Sequence, residues 1–285
     1  MTAAIGYALA AMVLAGLGDF VFKRAATGPF KTHQFMMVQS MCFTSLVWLY
    51  GWASATLELA PAVAWGLCAG AFMFMGFNCF VLSLEHGNVS INAPIFRLNF
   101  IVTAALAVAL LGEPLSPVKL AGLALALLAI WLLVAAATGL GSALGAADRR
   151  SLWLAVTSTL ALGCGNVLHK IGLSNGASAT SLLAAHSGVF LTLATLVAVR
   201  KDGRVVVSLA VWPYALSGAA LSMSGFVMML AALALADASI VIPIAQMGLV
   251  VTALLGVAVL KEPATARKGL GLLAALGALG LLAVS

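Results

Sequence analysis

Apolar residues in this chain come in long unbroken runs, cut by short clusters of glycine, proline and charged residues. They show neither the alternation of a half-buried strand nor the single stripe of a surface helix. Runs that are hydrophobic all round and about 20 residues long match a helix that crosses a bilayer. The punctuation marks ten of them, at residues 3–24, 32–54, 61–84, 88–111, 117–137, 151–173, 180–200, 209–236, 238–260 and 265–284. A linker of small residues, 138–150, separates the first five from the second five. The pattern predicts an all-α integral membrane protein with ten transmembrane helices and short loops.

Composition agrees. Of 285 residues, 64% are hydrophobic and 8% charged, and mean hydropathy is +1.16. Such a chain has too few polar groups to cover a water-soluble surface, too much apolar surface for disorder, and no polar stretch long enough for an aqueous catalytic domain. The N-terminus lacks a basic n-region and reads as a first span that is retained, not as a cleaved signal.

The halves repeat. Residues 94–114, PIFRLNFIVTAALAVALLGEP, match residues 243–263, PIAQMGLVVTALLGVAVLKEP, at eleven of 21 positions without a gap. Upstream, GLGDFVFK at 16–23 matches GCGNVLHK at 163–170. A repeat of five spans is odd in number, so its second copy must sit inverted in the membrane. Inverted repeats are a common transporter design, with the solute bound near the midplane. The domain reading is a first five-helix repeat at 1–137, the linker, and a second, inverted repeat at 151–285.

These stretches resemble the EamA-type module of the drug/metabolite transporter superfamily. The shared marks are a small polar helix entry (Asn88-Val89-Ser90 and Asp237-Ala238-Ser239), a mid-helix proline (Pro94 and Pro243), and the exits Gly112-Glu113-Pro114 and Lys261-Glu262-Pro263. The resemblance covers essentially the whole chain. It implies a ten-helix basket whose central cavity is lined by spans 1, 3, 4, 6, 8 and 9. Relatives of this type move amino acids, sugars and their nucleotides, choline-like cations and drugs, so the substrate stays open.

The net charge of +6 is not a nucleic-acid footprint, because the basic residues sit at span ends. Eleven collect on the side where span 1 ends, and only Lys119 and Lys170 on the other. The positive-inside rule makes the richer side cytoplasmic and puts both termini outside a cell inner membrane.

Ionisable residues inside a bilayer cost at least about 2.5–3.5 kcal/mol on insertion scales, so each is a functional candidate. Asp19 lies roughly 7 Å before the end of span 1 and Arg97 roughly 13 Å into span 4 from the same side, within reach of a salt bridge. The repeat aligns Asp19 with Asn166 and Arg97 with Gln246. Both charges are therefore lost together in the second half, as expected of a pair, since a lone survivor would be stranded in low dielectric. The expectation is that Asp19 and Arg97 face a shared space, and Asn166 and Gln246 the pseudo-symmetric one. Arg97 can bind a carboxylate or phosphate bidentately with its planar fork, the alternative being a purely structural pair that pins span 1 to span 4. Asn78, Asn92, Asn99, Asn166 and Gln246 supply neutral hydrogen bonds. Pro94 and Pro243 remove backbone donors and predict broken helices lining the cavity.

His169 and His186 are the side chains most able to titrate near neutral pH, and are candidate proton carriers. The phenylalanines of span 3 (Phe72, Phe74, Phe77 and Phe80) read as core or lipid-facing residues, or as one wall of the cavity. Lys23 and Lys170 read as snorkelling caps, and Glu113 and Glu262 as loop or cap residues. Cys42, Cys68, Cys79 and Cys164 are scattered through apolar segments, without metal-ligand spacing.

Gly16-Leu17-Gly18-Asp19 spells the G-x-G-D of intramembrane aspartyl proteases. That chemistry needs a second aspartate nearby. Asp148 and Asp202 read as loop residues, and Asp237 opens span 9 across the membrane. No H-E-x-x-H, G-x-S-x-G or P-loop is present, so neither an enzyme nor a cofactor is expected. The function expected is a secondary or facilitative carrier of small organic solutes by alternating access, with zwitterions such as amino acids favoured and H+ or Na+ as possible drivers. The rivals are an exporter of organic cations or drugs, and a non-transporting channel or interaction protein. No nucleic-acid partner is expected, and the sequence leaves the oligomeric state open.

Overall fold

A computed structural model describes residues 2–25, 28–86, 92, 95–138, 146–205, 207–259 and 265–285. Among these the chain is helical, without a strand. The helices are α1 (Thr2–Ala25), α2 (Thr32–Ala53), α3 (Ala64–His86), α4 (Asn99–Leu111), α5 (Pro117–Thr138) and α6 (Ala146–Ser174). They continue as α7 (Ala179–Asp202), α8 (Trp212–Leu235), α9 (Ala238–Gln246), α10 (Gly248–Ala258) and α11 (Ala266–Ala283).

Local chemistry sets the ends. Pro117 opens α5 and Pro213 sits in the first turn of α8, where a missing N–H costs nothing. Ser178 and Thr265 accept hydrogen bonds from the backbones of Ser181 and Lys268 to cap α7 and α11. Left-handed Gly112 and Gly203 end α4 and α7. Helix α6 starts inside the expected linker, so Asp148 is helical, and Asp202 is the last residue of α7.

Among the described residues, seven helical segments are long and apolar enough to cross a membrane, and two more apolar stretches, Ile95–Leu111 and Pro117–Leu132, are shorter. The seven do not include α2, 22 residues long, because polar residues lower its hydropathy. Those residues are satisfied inside the bundle. Ser40 Oγ donates to the Met37 carbonyl and Thr44 Oγ1 to the Ser187 carbonyl of α7. Large apolar side chains such as Trp52, Trp153, Leu273 and Leu276 are exposed around the bundle. In water they would form an insoluble patch, whereas in lipid they meet acyl chains.

The halves interlock. Helix α1 packs on α8 and α10, and α6 packs on α3 and α4. Helix α2 packs on α7, and α5 on α11. Exchanging the halves through the repeat reproduces this set of neighbours. Small residues permit the closest approaches. A Cβ on Gly122 would lie 2.9 Å from Leu282, and one on Gly277 2.8 Å from Leu125, so α5 and α11 mesh as glycine stripes in membranes do.

The ninth span is interrupted. Helix α9 runs through Pro243 and stops at Gln246, and Met247 takes φ −74° and ψ 7° before α10 begins. At the matching place Leu98 has φ −69° and ψ −1° ahead of α4. Tight i→i−3 bonds bracket both: Met247 to Ile244 and Val250 to Met247, Leu98 to Ile95 and Ile101 to Leu98. The interruption thus falls four residues beyond Pro243, not in the turn before it. Near the helix start Pro243 removes one donor only, and the buried first turn around Ser239 is held by other groups. Pro94, expected to break the fourth span, lies outside the described residues.

Candidate functional site

The two interruptions meet α1. Arg97, just before Leu98, donates from Nη2 to Asp19 Oδ2 and from Nη1 to Gln246 Oε1, the latter at 3.3 Å. Gln246 is the residue before Met247, so each interrupted span delivers its polar side chain at the break. The Asp19 and Arg97 side chains are 28% and 16% exposed, so the pair is partly accessible and not sealed in the core. The Arg97 guanidinium also lies 5.7 Å from the Phe96 ring. It carries five N–H donors. These contacts engage one on each Nη, so the cluster retains capacity for an anionic group.

The bringing together of Asp19 and Arg97 agrees with the reading of the sequence. The partner of Gln246 does not. It was assigned to a second, pseudo-symmetric space and instead shares Arg97. Its expected companion Asn166 is buried elsewhere and donates to Asn99 Oδ1 (3.4 Å) and Thr103 Oγ1 (3.3 Å). Asn99 is fully buried and donates to the Phe96 carbonyl at 2.8 Å. These two asparagines pin α6 to α4. Asn92 is buried and donates to the Ser83 carbonyl and Ser151 Oγ. Asn78 lines a small cavity with His33, Phe74 and Lys201, a lining that excludes Asp19 and Arg97. Beside the site Phe80 stacks on Phe96 at 4.0 Å, and Phe77 touches both Phe96 and Phe190, so the span 3 rings form a packed cluster.

His169 and His186 also meet. His169 Nε2 and His186 Nδ1 are 3.2 Å apart, and their rings stack at 5.1 Å between Phe43, Phe190 and Phe226. Both are buried, and His169 Nδ1 has no hydrogen-bond partner. Neutral imidazoles satisfy this contact by sharing one proton; protonating both rings would set like charges face to face in a low dielectric. No group of three or more metal-ligating side chains occurs among the described residues.

The sequence reading of Glu113 as a loop or cap residue fits its place, but its partners and those of Lys119 and Asp202 escaped sequence reasoning. Glu113, buried after α4, accepts from the backbones of Ala238 (2.7 Å) and Ser239 (2.9 Å), capping α9 across the repeat boundary. Lys119, 2% exposed, joins Asp237 at 2.9 Å, Ser239 and the Pro114 carbonyl. Asp202, at the end of α7, accepts from Lys31, His33 and Gln34 at the start of α2. Lys170 does act as a cap, donating to the last carbonyls of α8, Leu233 and Ala236.

Residues 2–135 and 149–284 each match the profile of the EamA-like transporter family. The chain belongs to this family. Its members are transporters, not enzymes, and the two matches cover both halves of a helical, multi-pass membrane protein. A solved structure titled "Crystal structure of protein" superposes with a TM-score of 0.82. It spans 99% of this chain and 98% of its own, at 14% identity. The likeness is one of fold. No curated protein matches the sequence significantly. Within the EamA-like frame, the G-x-G-D of α1 belongs to helix packing: a Cβ on Gly16 would stand 2.4 Å from the Gly248 carbonyl oxygen.

Proposed function

We propose that this EamA-like protein is a secondary carrier of small organic solutes with both an acidic and a basic group, amino acids or related zwitterions. The observation that carries the reading is the meeting of Asp19, Arg97 and Gln246, from three helices and both halves, at two helix interruptions. Arg97 receives the carboxylate of the solute, Asp19 its amino group, and Gln246 the remaining hydrogen bonds. An Arg–Asp pair is already balanced in charge, so a zwitterion inserted between its members leaves no uncompensated charge in the membrane.

In this reading ten spans form two inverted five-helix repeats, with α9 and α10 together as the ninth. Solute access alternates as the halves rock about the interruptions. The basic side is cytoplasmic and both termini are external, in a cell inner membrane. The drive is a solute or ion gradient, and the His169–His186 pair carries the coupling proton.

The test is a thermal-shift panel on the purified protein, sorted into amino acids, organic anions, organic cations and neutral solutes, with each hit repeated in Arg97→Gln. A zwitterion that stabilises the native protein and not the variant supports the reading. A cation that stabilises both transfers the site to Asp19 and overturns it.

A further inference from the structure

Helices α2 and α7 lie side by side for their whole length. In α2, 22 residues at 1.5 Å each span roughly 33 Å, the thickness of a bilayer core. They are clamped at both ends. At the start of α2, Lys31 Nζ (2.6 Å), His33 Nε2 (2.9 Å) and Gln34 Nε2 (2.7 Å) converge on the Asp202 carboxylate. That carboxylate is 5% exposed and sits at the N-terminus of α2, where the helix dipole favours an anion. At the other end Ser178 Oγ donates to the Thr56 carbonyl (2.8 Å), Thr56 Oγ1 to Thr180 Oγ1 (3.0 Å), and the Glu58 backbone to Ser181 Oγ (2.7 Å). Near the middle, Thr44 Oγ1 donates to the Ser187 carbonyl.

In the register that carries Asp19 onto Asn166, Lys31, His33 and Gln34 fall on Ser178, Thr180 and Ser181. The two clamps are one device built twice, from the same three positions. One copy is ionic and the other is made of hydroxyls. Exchanging the halves swaps α2 with α7 and so swaps the clamps.

We infer that these clamps are the two closures of the permeation path, opening in alternation about the Thr44–Ser187 contact. The ionic clamp makes the balance between the two open forms sensitive to salt and to charge. This rests on the alternating-access reading above. The ionic closure loses strength as salt screens the exposed Lys31, and the hydroxyl closure does not.

The test reads accessibility without any solute. Ala194 is buried and lines the small cavity against His33 and Lys201, just inside the ionic clamp. Ala194→Cys is introduced into the full chain, with the four native cysteines replaced by alanine, and labelled with a membrane-impermeant maleimide. Asp202→Asn is expected to raise the labelling rate at least fivefold, and 0.5 M salt to raise it about twofold in the parent. Thr180→Val is expected to lower it, because releasing the far clamp favours the form closed here. Lys31→Met, at an exposed position, gives a smaller rise if Asp202→Asn does not fold. Rates that move in the same direction in both clamps, or stay at the parent value, overturn the proposal. Solute flux with unresponsive labelling would leave the carrier reading standing and sink the clamps. Opposed labelling without any solute flux would do the reverse.

Discussion

Gly16 of α1 and Gly248 of α10 touch backbone to backbone. A Cβ on Gly16 would lie 2.4 Å from the Gly248 carbonyl oxygen, and one on Gly248 2.9 Å from the Gly16 nitrogen. Thr252 Oγ1 then donates to the Gly16 carbonyl at 3.0 Å. This crossing fixes where Asp19, one turn along α1, stands relative to Gln246, just before α10. The repeat builds it again, with Gly163 against Asn99 and Val102. Gly16→Ala is expected to cost about 1–3 kcal/mol, because the obstacle is backbone and cannot rotate away. Gly280→Ala, with nothing within 4 Å, is expected to be neutral. Melting temperatures of the two purified variants check this.

The Asp19–Arg97 pair predicts a charge-swap rescue. Either single change, Asp19→Arg or Arg97→Asp, leaves two like charges in contact and is expected to abolish most folded protein. Complete burial would set the loss from one missing partner at about 3–5 kcal/mol, and the partial exposure here lowers that. The double swap is expected to restore monodisperse protein on size exclusion. A double variant no better than the singles refutes the pairing as an energetic unit.

Glu113 supplies both carboxylate oxygens to the first turn of α9. Glu113→Ala is expected to destabilise that turn by about 2 kcal/mol, a cap lost at a buried helix end. Hydrogen exchange at residues 238–242 should accelerate, while α11 exchanges as before. Uniform acceleration throughout the chain would mean that the contact acts on global stability and not on α9.

For the histidine pair the repeat itself suggests the substitution. In register, His169 falls on Phe22 and His186 on Gln39. The double change His169→Phe/His186→Gln copies the first half into the second and removes the unpartnered Nδ1. The variant is expected to melt within about 3 °C of the parent, equivalent to about 1 kcal/mol at this size. Its uptake of a panel solute is expected to lose its dependence on pH. Dependence that survives would acquit the pair of carrying the proton.

What the sequence disclosed follows from how membranes work. Charges are so scarce in these spans that Asp19 and Arg97 identify each other, and helix depth brings them close enough for the long arginine side chain to close the gap. Span limits are legible because the bilayer imposes their length. The partners of Glu113, Lys119 and Asp202 were hidden for the opposite reason. They sit at loops and helix ends, where charged residues are ordinary, and they bond to elements more than 100 residues away. Gln246 misled through the alignment: its match with Arg97 suggested separate sites, yet the two aligned positions hydrogen-bond to each other.

The ion pair at the interruptions has an electrical consequence. Moving one elementary charge through the membrane field is worth about 2.3 kcal/mol per 100 mV. In the proposed cycle Asp19 and Arg97 travel as a unit of zero net charge, so the resting potential does no work on them. Any voltage dependence of the cycle therefore belongs to the passenger or to a proton, and a current recorded across a membrane holding this protein would count those charges directly.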